Sequence, residues 1–182
     1  MKHLSIVALA LGVAAASCGD GYKSPTGPST PAQNPNQVKF TATLSPSNVV
    51  PAVTNADASG RGTANITFNL TRDAAGTITA VTVDITVDLN SFPAGTSVTA
   101  AILHPGAAGA NGGALVSMGL AAGEVVMASG TQTGITKTNL TGSASFTPTA
   151  AQEIINNPSQ YYFLVHTALN PGGAARGQLV KV

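Results

Sequence analysis

The residue types that could do chemistry are scarce in this chain of 182 amino acids, which has one cysteine, three histidines, eight basic and seven acidic side chains. Two of the histidines, His104 and His166, lie in the part that we expect to fold. Nucleophilic catalysis needs a hydroxyl or thiol beside a base and an orienting acid, and neither histidine lies in such a motif. The sequence also lacks the nucleophile-elbow, phosphate-loop and zinc-protease motifs. We therefore expect no enzyme activity.

The carboxylates offer no catalytic pair either. Asp84 and Asp88 share one face of a predicted strand, but at about 3.3 Å per residue they lie about 13 Å apart, too far for one acid dyad. Two histidines cannot build a copper–zinc centre, and a catalytic zinc commonly has three protein ligands. We therefore expect no cofactor and no metal. The alternative is a metal-binding or redox site that uses His104 and His166, with Asp84 or Asp88 from a neighbouring strand.

Charge and aromatic content limit the partners. A net charge of +1 provides no field that could hold a nucleic acid. Aromatic residues make up only 4% of the chain, which disfavours a carbohydrate-binding surface. The glycine-rich residues 105–113 lack the lysine of a phosphate loop, so we expect an inter-strand loop there. The partner that remains is an unknown protein or envelope component.

The N-terminal residues have the pattern of a secretory signal. A short basic start is followed by an apolar run over residues 4–16 and by small residues up to Cys18. The run is about 13 residues long, whereas a membrane-spanning helix needs about 20. The pattern resembles a bacterial lipoprotein signal, which implies that residues 1–17 are removed and that Cys18 carries a lipid. The alternative is an ordinary cleaved signal that leaves Cys18 as a free thiol.

Residues 18–37 are rich in Pro, Gly, Ser, Thr and Asn and have little to bury. We expect them to form the lipid anchor and an extended tether, with the membrane as a partner through the lipid at Cys18. The folded domain is then residues 38–182. In lipoproteins an Asp after the cysteine favours retention in the inner membrane, and Gly19 stands there. We therefore expect a bacterial cell-envelope protein anchored at the outer membrane.

The folded part has the periodicity of strands. In residues 81–88, Val or Ile alternates with Thr or Asp, so one face is apolar and the other polar. A short helix is predicted over residues 149–157, with Thr149 and Gln152 as a capping box and Pro158 after its end. The fold class is all-β, an antiparallel β-sandwich of immunoglobulin-like or superoxide-dismutase-like Greek-key type with one short helix. The predicted strands are residues 39–44, 63–71, 78–89, 98–104, 115–120, 124–128, 142–147, 161–167 and 177–182.

The C-terminal residues predict a hairpin. Residues 171–173 read Pro-Gly-Gly, which is turn chemistry between two strands. We expect Arg176, on the last strand, to pair with a carboxylate or with carbonyl groups. Alternation along residues 161–167 directs three side chains to the core and three to the opposite face: Tyr161, Phe163 and Val165 inward, and Tyr162, Leu164 and His166 outward.

The same residues carry a family resemblance. A strand that ends in His166-Thr167, the Pro-Gly-Gly turn and the final strand, which begins Arg-Gly-Gln-Leu, are similar in order and spacing to the CHRD domain, named from chordin. Residues 48–53, 58–60 and 99–104 resemble earlier motifs of that family. The resemblance covers about residues 38–182 and implies a β-sandwich that acts as a binding or structural module. It implies a structural role for the motif residues His104, His166, Pro171, Gly172, Gly173, Arg176, Gly177 and Gln178.

The chain departs from the family pattern where polar residues common in the family are replaced by apolar ones. A metal or ligand that used those groups in other members would lose most of its neighbours here. The replaced positions are Val49, Ile102, Leu164 and Ala174.

Overall fold

Two antiparallel β-sheets form the part of the chain that the computed structural model describes, residues 34–182. The predicted all-β sandwich is confirmed. The predicted signal, Cys18 and most of the tether lie outside the described residues. The strands are β1 (Gln37–Leu44), β2 (Arg61–Arg72), β3 (Ile78–Asn90), β4 (Thr96–Pro105), β5 (Val116–Ser117), β6 (Val125–Met127), β7 (Gln132–Leu140), β8 (Tyr161–Thr167), β9 (Ala175–Gln178) and β10 (Val180–Lys181).

The strand order places β1, β2 and β3 inside the first sheet and β4 and β8 inside the second. The first sheet has the order β10-β1-β2-β3-β7, and the second has the order β5-β4-β8-β9, with β6 also paired to β4. Side chains from both sheets form one core, in which the Phe68 ring meets Phe40 and Phe146 edge to face at 5.0 and 5.5 Å. Full burial of a Phe side chain contributes about 1.5–3 kcal/mol, so these rings stabilise the sandwich strongly.

Strand β3 follows the alternation of its sequence. Val83, Ile85 and Val87 are buried, and the residues between them are partly exposed. Because side chains alternate sides along a strand, one apolar face lies on the core and one polar face remains at the surface.

The strand predicted over residues 142–147 is wrong, because that segment is irregular. The strand that closes this side of the sheet is β7, earlier in the chain, where Ile135 is the buried residue. Gly134 and Asn139 have positive φ angles of 69° and 54°, and such residues usually mark turns. An edge strand that is mostly exposed needs little apolar alternation, so its sequence resembled a loop.

The predicted helix is present as α1 (Pro148–Asn156), but its predicted cap is wrong. Thr147 is the N-cap, since its Oγ1 accepts from the backbone N–H of Ala150 at 3.2 Å, and Pro148 takes the first helical position. Gln152 instead donates to Asn156 at 3.0 Å. Among residues 34–182, no helix is long and apolar enough to cross a membrane.

The predicted last strand divides into two strands that belong to different sheets. β9 pairs with β8 in the second sheet, and β10 pairs with β1 in the first. Leu179 lies between them and is buried in the core. The C-terminal residues therefore connect β9, at one edge of the second sheet, to β10, at one edge of the first.

Candidate functional site

The motif residues meet on the outer face, by which we mean the side of β4, β8 and β9 turned away from the core. The strand register pairs His104 with Tyr162, and Leu164 with Arg176. Phe163 and Val165 lie in the main core, while Tyr162 and Leu164 form a separate apolar cluster. The sidedness of β8 therefore agrees with the alternation of its sequence.

A segment after β1 covers this outer face. Ser45 and Arg176 exchange two backbone hydrogen bonds of 2.9 and 3.1 Å, and the Asn48 amide donates to the Arg176 carbonyl at 3.2 Å. Val49 then packs against Tyr162 and Leu164. The covered face explains why Tyr162 and Arg176 are each only 1% exposed.

Arg176 is buried on the outer face with acceptors around its guanidinium. The group lies 3.5 Å from the centre of the Tyr162 ring. Its Nη2 donates to the Ala107 carbonyl at 2.8 Å, its Nη1 donates to the Asn111 side chain at 3.2 Å, and Nε and Nη2 both contact the Gln178 oxygen. Burial lowers the pKa of Arg176, and the nearby Tyr162 raises it in part. Arg176 therefore holds the loop of residues 105–113 against the sheet.

Gln178 holds the start of the same loop. Its amide nitrogen donates to the carbonyls of Gly106, Ser159 and Tyr161 at 3.0, 2.8 and 3.2 Å. Its oxygen accepts from Arg176, so both ends of the side chain bond within the domain. The Arg-Gly-Gln segment thus has a structural role that its sequence alone did not define.

The glycine of that segment is required by a close approach of two strands. A Cβ atom on Gly177 would lie 2.3 Å from the carbonyl oxygen of Thr43 on β1, a distance that van der Waals repulsion forbids. The preceding turn joins β8 to β9, and Gly173 has a φ of 131° there. A Cβ on Gly172 would meet open space. Position 173 therefore needs glycine for its positive φ, whereas position 172 has room for a side chain.

His104 on β4 is held by the loop that follows the strand. Its Nδ1 lies 3.0 and 3.1 Å from the carbonyl oxygens of Gly112 and Gly113, and since carbonyls only accept, Nδ1 carries a proton. The ring stacks on Tyr162 at 5.0 Å with an interplanar angle of 7°. Burial lowers the pKa of His104; the two carbonyls oppose this, and the neighbouring His166 and Arg176 add to it.

His166 on β8 is held in a similar way, by the turn that follows that strand. Its Nδ1 lies 2.9 Å from the Pro171 carbonyl oxygen. Its ring centre is 6.3 Å from that of His104. Within the described part of the chain, the Nε2 atoms of both rings are buried without a hydrogen-bond partner.

Asp84 and Asp88 cannot complete a metal site with these histidines. Both lie on β3, in the other sheet, where they accept hydrogen bonds from backbone groups of β7. In residues 34–182, no three His, Cys, Asp or Glu side chains are grouped so that they could hold a metal. The hypothesis of a third carboxylate ligand is therefore wrong.

Sequence reasoning missed Asp57 as an important residue. Its side chain is fully buried, and one oxygen accepts from the Thr167 hydroxyl and the Asn170 amide, both at 2.6 Å. The Asn55 side chain accepts from the Asp57 backbone N–H at 3.1 Å. The signal in the sequence was the Asn-x-Asp spacing, which is typical of a side-chain-stabilised turn. Asp57 thus ties this turn to the β8–β9 hairpin.

Three of the four apolar replacements noted in the sequence come together in the structure, whereas the fourth, Ala174, lies in the main core. Val49 and Leu164 belong to one cluster, and Ile102 is paired with Leu164 across the β4–β8 ladder. The outer face is therefore a histidine and arginine cluster around an apolar centre.

One family model matches the chain, the CHRD domain, over residues 40–179. This range extends from β1 to the residue after β9 and includes every motif residue described above. No curated protein and no solved structure matches the chain.

Proposed function

The chain belongs to the CHRD domain family, and on that premise we propose that it is a non-catalytic module held at the bacterial cell envelope by a lipid on Cys18. Family membership supports a β module of binding or structural type. The finer proposal is that it binds or supports an unknown protein or other component of the envelope, at the outer membrane. A net charge of +1 favours neither nucleic acid nor another polyanion as that partner.

One observation carries the non-catalytic part of the proposal: the polar motif residues are engaged within the domain. Arg176 and Gln178 donate to carbonyls of residues 105–113, and the Nδ1 atoms of both histidines face backbone carbonyls. A catalytic base would instead bond to a nucleophile and to an orienting acid. These residues therefore support a rigid scaffold rather than a reaction.

The sequence before β1 supports the anchor. The apolar run, the small residues and Cys18 are in lipoprotein order. Residues 19–36 then separate the cysteine from the first strand, and at about 3.3 Å per residue they can extend to at most about 60 Å. A module on such a tether could reach partners well beyond the membrane surface.

The test of the anchor uses Cys18→Ala in a bacterial host, with Ser17→Ala as the matched control. We expect the parent chain and Ser17→Ala to pellet with membranes and to incorporate labelled palmitate. Cys18→Ala should do neither, because the thiol that accepts the lipid is absent. If Cys18→Ala remains with the membranes, the lipid-anchor proposal is wrong.

The membrane assignment has its own variant. Gly19→Asp introduces the residue that favours inner-membrane retention, so it should move the protein from the outer-membrane to the inner-membrane fraction of a density gradient. A parent chain found in the inner-membrane fraction would contradict the outer-membrane assignment while leaving the lipid anchor intact, and an unchanged distribution of Gly19→Asp would contradict the role given to residue 19. Surface cross-linking of intact cells, with Cys18→Ala as the unanchored control, would then identify the partner.

A further inference from the structure

The outer face has two buried nitrogen atoms without partners. The Nε2 atoms of His104 and His166 are buried, and the described residues give neither a hydrogen bond. His104 is more than nine-tenths buried. Buried polar atoms in proteins almost always have a partner, so two unpartnered nitrogens on adjacent strands make a candidate binding site.

Both nitrogens are free to donate a lone pair. In each ring Nδ1 faces a backbone carbonyl oxygen at 2.9 to 3.1 Å, which fixes the proton on Nδ1. The neutral ring then has an unprotonated Nε2. Metal-binding histidines in proteins have this arrangement, with one nitrogen on the metal and the other donating to a carbonyl or carboxylate.

The hydrogen bonds of the two Nδ1 atoms indicate where the Nε2 atoms point. His104 bonds to the loop that follows β4, and His166 bonds to the turn that follows β8. Because β4 and β8 are antiparallel, these connections lie at opposite ends of the sheet. Nδ1 and Nε2 are on nearly opposite edges of an imidazole, so the Nε2 edges of the two rings turn toward each other.

The spacing of the rings fits one ion between them. Their centres are 6.3 Å apart. With a metal–nitrogen distance of about 2.0 Å and about 1.2 Å from nitrogen to ring centre, two imidazoles in line with one ion have centres about 6.4 Å apart. At a tetrahedral angle the same two rings would be about 5.2 Å apart. The geometry therefore favours a linear, two-ligand site.

The surroundings select the ion. The ligands are two neutral nitrogens, the neighbouring Ile102 and Leu164 are apolar, and the Arg176 guanidinium lies in the same cluster. Zinc prefers four ligands and commonly includes anionic ones, and a second positive charge would be repelled by Arg176. Copper(I) carries one charge and accepts two ligands in line. We propose that His104 and His166 bind one copper(I) ion through their Nε2 atoms.

This site is independent of the lipid anchor and of the envelope partner. Its test uses the full chain made by cell-free synthesis, with Cys18→Ser in every sample because a free thiol also binds copper(I). The protein is titrated with copper(I) without oxygen against a coloured copper(I) chelator. We expect one copper(I) per chain.

The variants are His104→Asn and His166→Asn. An Asn amide can still donate to the carbonyls that Nδ1 faces, but it has no atom in the place of Nε2. Each variant should bind copper(I) at least about 100-fold more weakly, while His3→Asn, outside the described residues, should bind like the parent. Equal affinity in the parent and the two site variants, or no binding by the parent, would overturn the proposal.

A second measurement needs no variant. X-ray absorption of the copper(I)-loaded protein should show two nitrogen ligands at about 2 Å. Sulfur ligands, or a coordination number of three or four, would overturn the linear site. A zinc titration of the same protein should show no stoichiometric binding, and tight zinc binding through the two histidines would also contradict the choice of ion.

Discussion

The guanidinium of Arg176 lies 3.5 Å from the centre of the Tyr162 ring. The His104 ring also stacks on Tyr162, and the two rings are parallel within 7°. Three neighbouring strands thus contribute one side chain each to a connected cluster. The described residues give Arg176 no carboxylate partner. The Tyr162 ring, one backbone carbonyl and two side-chain oxygens therefore balance a buried cation, which a planar guanidinium can achieve and an ammonium cannot.

Arg176→Lys should destabilise the domain by about 2–4 kcal/mol, because the lysine keeps the charge but loses the stacking and several bonds. The matched control is Arg61→Lys. Arg61 is exposed and donates to the nearby carbonyls of Ala58 and Gly60, so the control should change stability by less than about 1 kcal/mol. Urea unfolding measures both, and equal losses would contradict a special role for Arg176.

Gly177→Ala should destabilise the domain by about 3 kcal/mol, since the new Cβ would lie 2.3 Å from the Thr43 carbonyl oxygen and β9 would have to move away from β1. Gly172→Ala is the control, because its Cβ would meet open space and should change stability by less than about 1 kcal/mol. Thermal and urea unfolding compare the two. A stable Gly177→Ala protein would show that the strands approach less closely than described.

Asp84 and Asp88 face the two irregular positions of the β3–β7 ladder. The register shifts between Val83 and Ile85 and again between Val87 and Leu89. At these positions an Asp84 oxygen accepts from the Asn139 N–H at 2.8 Å, and an Asp88 oxygen accepts from the Gly134 N–H at 2.7 Å. The carboxylates thus take the place of ladder acceptors at two bulges.

Asp84→Ala should speed hydrogen exchange of the Asn139 amide by about 10-fold, and Asp88→Ala should do the same for Gly134, because each change removes a bond to a charged acceptor. Each variant is the control for the other, since the remote amide should keep its rate. Amide exchange by NMR gives both rates. If both amides respond equally to either change, the two bulges are not held separately.

The fold was predictable where the apolar pattern was strong. Strand β3 alternates Val and Ile with polar residues, and only a two-residue period separates such a sequence into one buried and one exposed side. The pattern of β7 is weak because Ile135 is its one buried residue, while Phe146 lies in an irregular segment that has strand-like composition. Edge strands and covering loops depend on contacts from elsewhere in the chain, and local sequence does not contain those contacts.

The candidate site was predictable as a set of residues but not as an arrangement. The motifs identified His104, His166 and Arg176, and alternation placed His166 on the outer face. The bonds from Nδ1 to the Gly112 and Pro171 carbonyls depend on how two loops fold back. The unpartnered Nε2 atoms and the buried Asp57 likewise result from distant segments that meet only in three dimensions.

The buried His104 predicts a loss of stability in mild acid. Burial is the main cause that lowers its pKa from 6.5, with smaller contributions from His166 and Arg176, while the Gly112 and Gly113 carbonyls act in the opposite direction. The unfolded chain therefore binds a proton at a higher pH than the folded one. Stability from the neutral ring is fully present above about pH 6.5 and is lost as the pH falls from there through the folded pKa.

His104→Asn removes this titration and keeps a donor for the two carbonyls, so its stability should fall less than that of the parent between pH 7.5 and pH 5. His3→Asn, outside the described residues, should follow the parent. Urea unfolding of the metal-free chain at several pH values measures the difference, and carboxylates that titrate in the same range cancel between the proteins. A parent chain that gains stability on acidification relative to His104→Asn would mean that the folded state protonates His104 more readily than the unfolded one, contrary to its burial.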